Sequence, residues 1–215
     1  MLRRYDTRQD LMTGLAEEVC RQLKRTIQER GRAFLSVPGG STPRPFFESL
    51  RVMSLDWSEV TICLNDERMV PETSERSNAA MIKAHLMQDD AIAASFLDLL
   101  EAPNDLLSHL PIDILVTGMG ADMHTASIFP DSPQLLDVLN PNAPAVVTVS
   151  TPTGGEDRIT LSAPILKAAR NKHVLIVGPN KLAAYEKSLM FKTPSEAPIR
   201  VVLEADPPAV VHYAE

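Results

Sequence analysis

A chain of 215 residues, 44% hydrophobic and 23% charged, has a globular composition and is long enough for one large α/β domain. Its formal net charge of −7 and pI near 5.3 argue against nucleic acid or an anionic membrane surface as the main partner, because both need a broad basic face. An anionic ligand would have to be held by a few local cations.

The first residues, Met1-Leu2-Arg3-Arg4-Tyr5-Asp6, have no apolar stretch behind their arginines, and no later apolar run is long enough to span a bilayer, so a cytoplasmic protein is expected. Leu11, Leu15, Val19, Leu23 and Ile27 recur every four residues and Gly31 follows as a C′ residue, which predicts an amphipathic helix over residues 8–30. Ala33-Phe34-Leu35-Ser36-Val37 reads as a short buried strand ended by Pro38-Gly39-Gly40. Ser41-Thr42-Pro43 then offers N-cap chemistry and a proline near a first helical turn.

The same pattern returns at Val60-Thr61-Ile62-Cys63-Leu64, at Ile112-Asp113-Ile114-Leu115-Val116-Thr117, and at Val174-Leu175-Ile176-Val177 before Gly178-Pro179-Asn180-Lys181. Residues 89–111 are less regular, and Thr151-Pro152-Thr153-Gly154-Gly155 reads as a flexible connection. Near-continuous apolar strands separated by helices predict a doubly wound, mostly parallel α/β sheet with helices on both faces, as one domain over residues 1–215. Ligands then belong at the carboxyl ends of the strands. Cys20 and Cys63 lack CxxC or zinc-finger spacing and read as small buried hydrophobes, so neither a disulfide framework nor a metal cluster is indicated.

Three strand-end turns carry chemistry. In Gly39-Gly40-Ser41-Thr42 the missing Cβ atoms let backbone N–H groups approach an oxyanion and the hydroxyls add donors, although a plain strand-to-helix turn is the commoner explanation of any single such string. Asn65-Asp66-Glu67-Arg68-Met69-Val70-Pro71 places two carboxylates and a guanidinium after a strand, where Arg68 can pair with a phosphate, a carboxylate or a developing oxyanion or simply close a local ion-pair network. Gly118-Met119-Gly120-Ala121-Asp122-Met123-His124 presents an acid and an imidazole directly after an apolar run. Of the five histidines, His85, His109, His173 and His212 fall in helix, loop, strand-entrance or terminal positions that suit packed or solvated roles, which leaves His124 as the catalytic candidate. A neutral imidazole can take a proton from water, typically worth roughly 10²–10⁴-fold in rate. Arg158, opening an Ile159-Thr160-Leu161 strand, and Lys181 can complete an anion pocket, and either is equally well explained as a surface charge. GxSxG and HExxH are both missing, which argues against covalent serine catalysis and metallohydrolysis.

Taken together, Pro38 to Pro43, Asn65 to Pro71, Ser77-Asn78, Gly118 to Pro130 and Arg158-Ile159-Thr160 occur in the order seen in 6-phosphogluconolactonases, a family the chain resembles over nearly its whole length. The resemblance implies hydrolysis of 6-phospho-D-glucono-1,5-lactone in the oxidative pentose phosphate pathway, by a monomer or homodimer, without a metal or an organic cofactor, on a fold shared with glucosamine-6-phosphate deaminases. It further implies that His124 activates water and that Arg68 binds and polarises the substrate. Asp66 and Asp122 would orient the site, and Gly40, Ser41 and Thr42 with Arg158 and Lys181 would hold the 6-phosphate. A related sugar-phosphate deaminase or isomerase and a non-catalytic phosphosugar sensor stand as alternatives. The run Thr125-Ala126-Ser127-Ile128-Phe129-Pro130 follows the lactonase pattern and not the acidic continuation of the deaminases. Met123 stands where the family usually has glycine, so that turn is either strained by roughly 1–2 kcal/mol if φ is positive, or ordinary, with Met123 at the pocket entrance. The segment between Ser77-Asn78 and Pro111 is shorter than in many relatives, which would trim the pocket rim.

Overall fold

The computed structural model describes residues 1–152 and 154–215; Thr153, inside the expected Thr151–Gly155 connection, lies outside the described residues. In chain order the elements are β1 (Leu2–Arg4), α1 (Arg8–Arg30), β2 (Ala33–Val37), α2 (Arg44–Arg51), β3 (Val60–Leu64), β4 (Asp66–Arg68), α3 (Asn78–His85), β5 (Ser95–Leu97), β6 (Ile114–Gly118), α4 (Leu135–Leu139), β7 (Val146–Val149), β8 (Arg158–Leu161), α5 (Ala163–Ala168), β9 (Asn171–Val177), α6 (Pro179–Ser188), α7 (Arg200–Leu203) and β10 (Val210–Ala214). Seven strands form a sheet in the order β1-β10-β9-β6-β2-β3-β5, with every pairing parallel.

The predicted helix over residues 8–30 is α1. Thr7 accepts the Asp10 N–H at its start, and Gly31, at φ +75°, returns its N–H to the Ile27 carbonyl at its end. Leu11, Leu15, Val19 and Leu23 are completely buried against the sheet, each contributing roughly 1.5–3 kcal/mol of apolar burial. The strand over residues 33–37 is buried at every position, as a central strand covered on both faces must be. The expected side-chain cap on the next helix does not form. α2 begins at Arg44 with Pro43 at the N-cap, and only the Ser41 carbonyl takes the Arg44 N–H.

Two departures from the sequence-based expectation matter for the site. The strand around residues 159–161 is not in the parallel sheet; β8 pairs antiparallel with β4 and β7 in a separate three-stranded sheet. The irregular 89–111 region contains β5 between the 3₁₀ turns Asp89–Ala93 and Asp105–His109.

The chain winds from β2 outward through β3 to β5, then crosses to the other side of β2 to place β6, β9 and β10. The switch point between β2 and β6 opens a crevice at the strands' carboxyl ends. Asn65 fixes its floor: its Oδ1 accepts from Ser36 Oγ at 2.6 Å and its Nδ2 donates to the Val116 carbonyl at 2.8 Å, joining the ends of β2, β3 and β6.

Candidate active site

A cleft of about 310 Å³ lies at this switch point, walled by the turns after β2 and β6 and by the small sheet. Of the residues singled out from the sequence, Gly40, Thr42, Asp66, Arg68, His124, Arg158 and Lys181 line it. Asp122 stands directly behind His124. Ser41 alone turns away, exposed on a neighbouring depression shared with Arg8 and Gln9.

The turn after β6 is built around the imidazole. His124 Nδ1 lies 2.6 Å from Asp122 Oδ1, and the His124 N–H donates to the same oxygen at 3.3 Å. Because a carboxylate only accepts, this pairing assigns the Nδ1–H tautomer and leaves Nε2 as the ring's acceptor. Partial burial pushes the Asp122 carboxyl up, but the hydrogen bonds and charge of His124 outweigh this and hold it below the usual range. Gly120 is required here by space, since a Cβ would stand 2.2 Å from both Asp122 Oδ1 and His124 Nδ1. Met123 does adopt φ +67°, so the turn keeps its left-handed residue at a cost of about 1 kcal/mol. It does not line the cleft. Its side chain is buried in the core and its carbonyl accepts the Ile199 N–H at 2.9 Å, contacts that oppose the strain.

The small sheet supplies the cations. Arg68 and Arg158 sit directly opposite each other across the β4–β8 ladder, an arrangement that is repulsive by itself. Burial, and then the charges of Arg158 and Arg76, pull the Arg68 guanidinium below its ordinary value despite Asp66 and Glu67. The Nε atoms of both arginines are buried without a hydrogen-bond partner among the described residues. The forks are otherwise partly held, Arg68 Nη1 donating to the Arg76 carbonyl and Arg158 Nη1 facing Asp66, and two guanidinium groups bordering one cleft suit an anionic or oxyanionic ligand. Asp66 balances them in part: its Oδ2 accepts from Ser127 Oγ and lies 3.4 Å from Arg158 Nη1. Phe129 stands between the two halves of the site, its ring centroid 4.7 Å from that of His124 and 5.9 Å from Arg158 Cζ. On the far wall, burial lowers the Lys181 ammonium while the Asp122 charge acts in the other direction.

The remaining groups resolve into structural ones. Glu67 is fully enclosed, accepting from the N–H groups of Arg68, Asn78 and Ala79 and from Ser77 Oγ. Its charge thus caps the N-terminus of α3. His173 and His212 are buried in β9 and β10 and form a chain in which Tyr5 Oη lies 2.8 Å from His212 Nδ1, His212 Nε2 lies 3.0 Å from His173 Nδ1, and His173 Nε2 lies 2.9 Å from Gln22 Oε1. Cys63 is buried, its thiol pushed up to about 12 by loss of solvent, in keeping with a small hydrophobe. Sequence reasoning gave no role to Asn78 or Ser127, although both stand in strings it quoted. Neither is charged, so their position alone marks them. Among the described residues, no group of three or more His, Cys, Asp or Glu side chains is placed to hold a metal ion, and no helix is long and apolar enough to cross a membrane.

A doubly wound sheet whose switch-point cleft joins a His–Asp pair to orphaned guanidinium donors defines a class of enzymes acting on anionic substrates. The family model for glucosamine-6-phosphate isomerases/6-phosphogluconolactonase matches residues 6–211, and the chain belongs to this family. It is 38% identical over 213 residues to the 6-phosphogluconolactonase of Pseudomonas aeruginosa, covering 93% of this chain and 89% of that protein. It is 37% identical over 224 residues to the 6-phosphogluconolactonase of Mesorhizobium japonicum, covering 98% and 93%. The crystal structure of a 6-phosphogluconolactonase from Shewanella baltica superimposes with a TM-score of 0.94 at 36% identity, over 100% of this chain and 97% of that one. A monomeric glucosamine-6-phosphate deaminase, at 17% identity and a TM-score of 0.80 over 100% of this chain and 97% of that one, shares the fold.

Proposed function

We propose that this protein hydrolyses 6-phospho-D-glucono-1,5-lactone to 6-phospho-D-gluconate, the lactonase step of the oxidative pentose phosphate pathway. The observation that carries the reading is the His124–Asp122 pair set at a cleft whose two facing arginines hold unpartnered buried donors. The relatives, at 36–38% identity nearly from end to end, bear the same activity in their names.

A δ-lactone is an activated ester whose leaving alkoxide stays tethered, so one base and one oxyanion partner suffice and no step calls for a metal or an organic cofactor. His124 Nε2 takes a proton as water adds to C1. Arg68 stabilises the resulting oxyanion, and the C1–ring-oxygen bond breaks as the imidazolium returns the proton to the ring oxygen. Asp122 keeps the imidazole in the reactive tautomer, and Asp66 steadies Arg158. Gly40 and Thr42 with Arg158 and Lys181 hold the 6-phosphate, converting its binding energy into orientation of C1; Ser41 shapes their loop. The deaminase reading is not favoured, because Thr125 to Pro130 after His124 carry no carboxylate. We place the activity in the cytoplasm, in one domain over residues 1–215 acting as a monomer or homodimer, with no nucleic-acid or membrane partner.

The test is the decay of the lactone generated in place by glucose-6-phosphate dehydrogenase at near-neutral pH. Decay well above the spontaneous rate supports the reading, and decay at the spontaneous rate with folded protein overturns it.

A further inference from the structure

One polar side chain of the cleft has no part in the chemistry above. Asn78 is 4% exposed, lines the cleft and stands at the first position of α3. Its backbone and its side-chain amide are both hydrogen-bonded. Its N–H donates to Glu67 Oε1 at 2.9 Å, its Nδ2 donates to the Asp66 carbonyl at 3.2 Å, and Ser77 beside it caps the helix by accepting from Ala80 N at 3.1 Å.

Those bonds settle which way the amide points. The Asp66 carbonyl can only accept, so the nitrogen must face it and Oδ1 must face the other way. Among the described residues, no donor reaches that oxygen. The amide lies flat against the turn after β2, where a Cβ on Gly39 would stand 2.1 Å from Asn78 Cγ, so the glycine leaves it room. Asn78 therefore stands between the phosphate-side loop, through Gly39, and the reaction side, through Asp66. A phosphorylated sugar lactone spanning those two ends presents ring hydroxyls, which are donors, at this point.

We infer that Asn78 is a specificity-determining residue whose Oδ1 accepts a hydrogen bond from a ring hydroxyl of the lactone, with Glu67 and Ser77 as positioning residues that fix the amide through α3. The inference rests on the lactonase reading. A neutral hydrogen bond of this kind is worth up to about tenfold in rate constant.

The experiment compares kcat/KM for the lactone and its 2-deoxy, 3-deoxy and 4-deoxy analogues in the wild-type enzyme, Asn78→Ala and Gly39→Ala. Deleting the recognised hydroxyl should slow the wild type about tenfold at one position. In Asn78→Ala the ratio between the lactone and that analogue should fall to about one, because the variant has already lost the acceptor. Gly39→Ala, which displaces the amide without removing it, should lower the same ratio and serves if Asn78→Ala does not fold. An unchanged ratio, with all four substrates slowed equally or not at all, would overturn the inference and reduce Asn78 to a structural contact. Wild-type enzyme that accelerates none of the lactones would overturn the lactonase reading, and this inference with it; acceleration with an unchanged ratio overturns the inference alone.

Discussion

The two ends of the seven-stranded sheet treat charge in opposite ways. At the amino end, the buried Asp113 carboxylate is surrounded: it accepts the Phe34 N–H at 2.9 Å and pairs with Arg30 and, at 3.3 Å, with Arg170. At the carboxyl end, Arg68 and Arg158 face each other with their Nε atoms unpartnered, and His124 keeps one ring nitrogen for the cleft. Between these ends, the His173–His212 chain is satisfied from Tyr5 to Gln22. Satisfied polar groups of this kind hold a fold together. Unsatisfied ones are tolerated only at a cost; Ser162 Oγ and Arg200 Nε are also unpartnered among the described residues, but only at Arg68 and Arg158 do such groups border the cleft, where a ligand can complete them.

The comparison is sharpened first by acid. Burial holds the His173 imidazole down at about 4, opposed by Glu18 and reinforced by Arg3 and Arg21; burial, His173 and Arg3 hold His212 at about 3. Both are neutral in the folded state and take up protons near pH 6.5 when unfolded, so their contribution is present above that pH and is lost as pH falls toward 4. Urea unfolding should show about 2 kcal/mol lost per histidine between pH 7 and pH 5, and the His173→Gln/His212→Gln variant should lose most of that slope. A wild-type stability that stays flat over this range would break the assignment.

Next in size is Asp122→Asn. It retains the shape of the turn but offers the imidazole an amide in place of a carboxylate, and we expect kcat to fall roughly 10²-fold with the fold intact. Loss of less than about threefold would make Asp122 a spectator.

At the opposite end Asp113→Ala should leave kcat per folded molecule unchanged while lowering stability by about 2 kcal/mol, since the buried Phe34 N–H loses its acceptor and the two arginines are exposed enough to be rehydrated. Thermal melting paired with activity per folded molecule separates the two effects. The smallest effect is expected from Met123→Gly, which relieves the left-handed strain but gives up core packing and adds chain entropy, for a net change within about 1 kcal/mol and little change in kcat.

Much of this contrast was legible in the sequence, for reasons that can be named. α1 could be placed because its four-residue spacing and Gly31 are both local signals, and β2 and β3 because central parallel strands are continuous apolar runs. β1, as Leu-Arg-Arg, and β4, as Asp-Glu-Arg, carry no apolar period at all. They are strands because a neighbour offers them a ladder, which is a tertiary fact. The antiparallel sheet was therefore invisible, and with it the facing of Arg68 and Arg158. His124 and Asp122 were accessible because a Gly-rich turn after a strand is local. Ser41 shows the limit of such reading: it borders the neighbouring depression together with Thr42, but of the two only Thr42 also lines the cleft. Asn78 escaped because an uncharged amide gains its meaning from Glu67 and Gly39, distant in sequence.

The most direct test of the account is His124→Ala, measured for both lactone turnover and calorimetric binding of 6-phosphogluconate. We expect turnover to fall by at least about 10²-fold while product affinity changes by no more than a fewfold, since the base acts on water and the cations hold the ligand. Turnover close to that of the wild type, with binding intact, would contradict the role given to His124 and with it the functional reading of the unsatisfied end of the sheet.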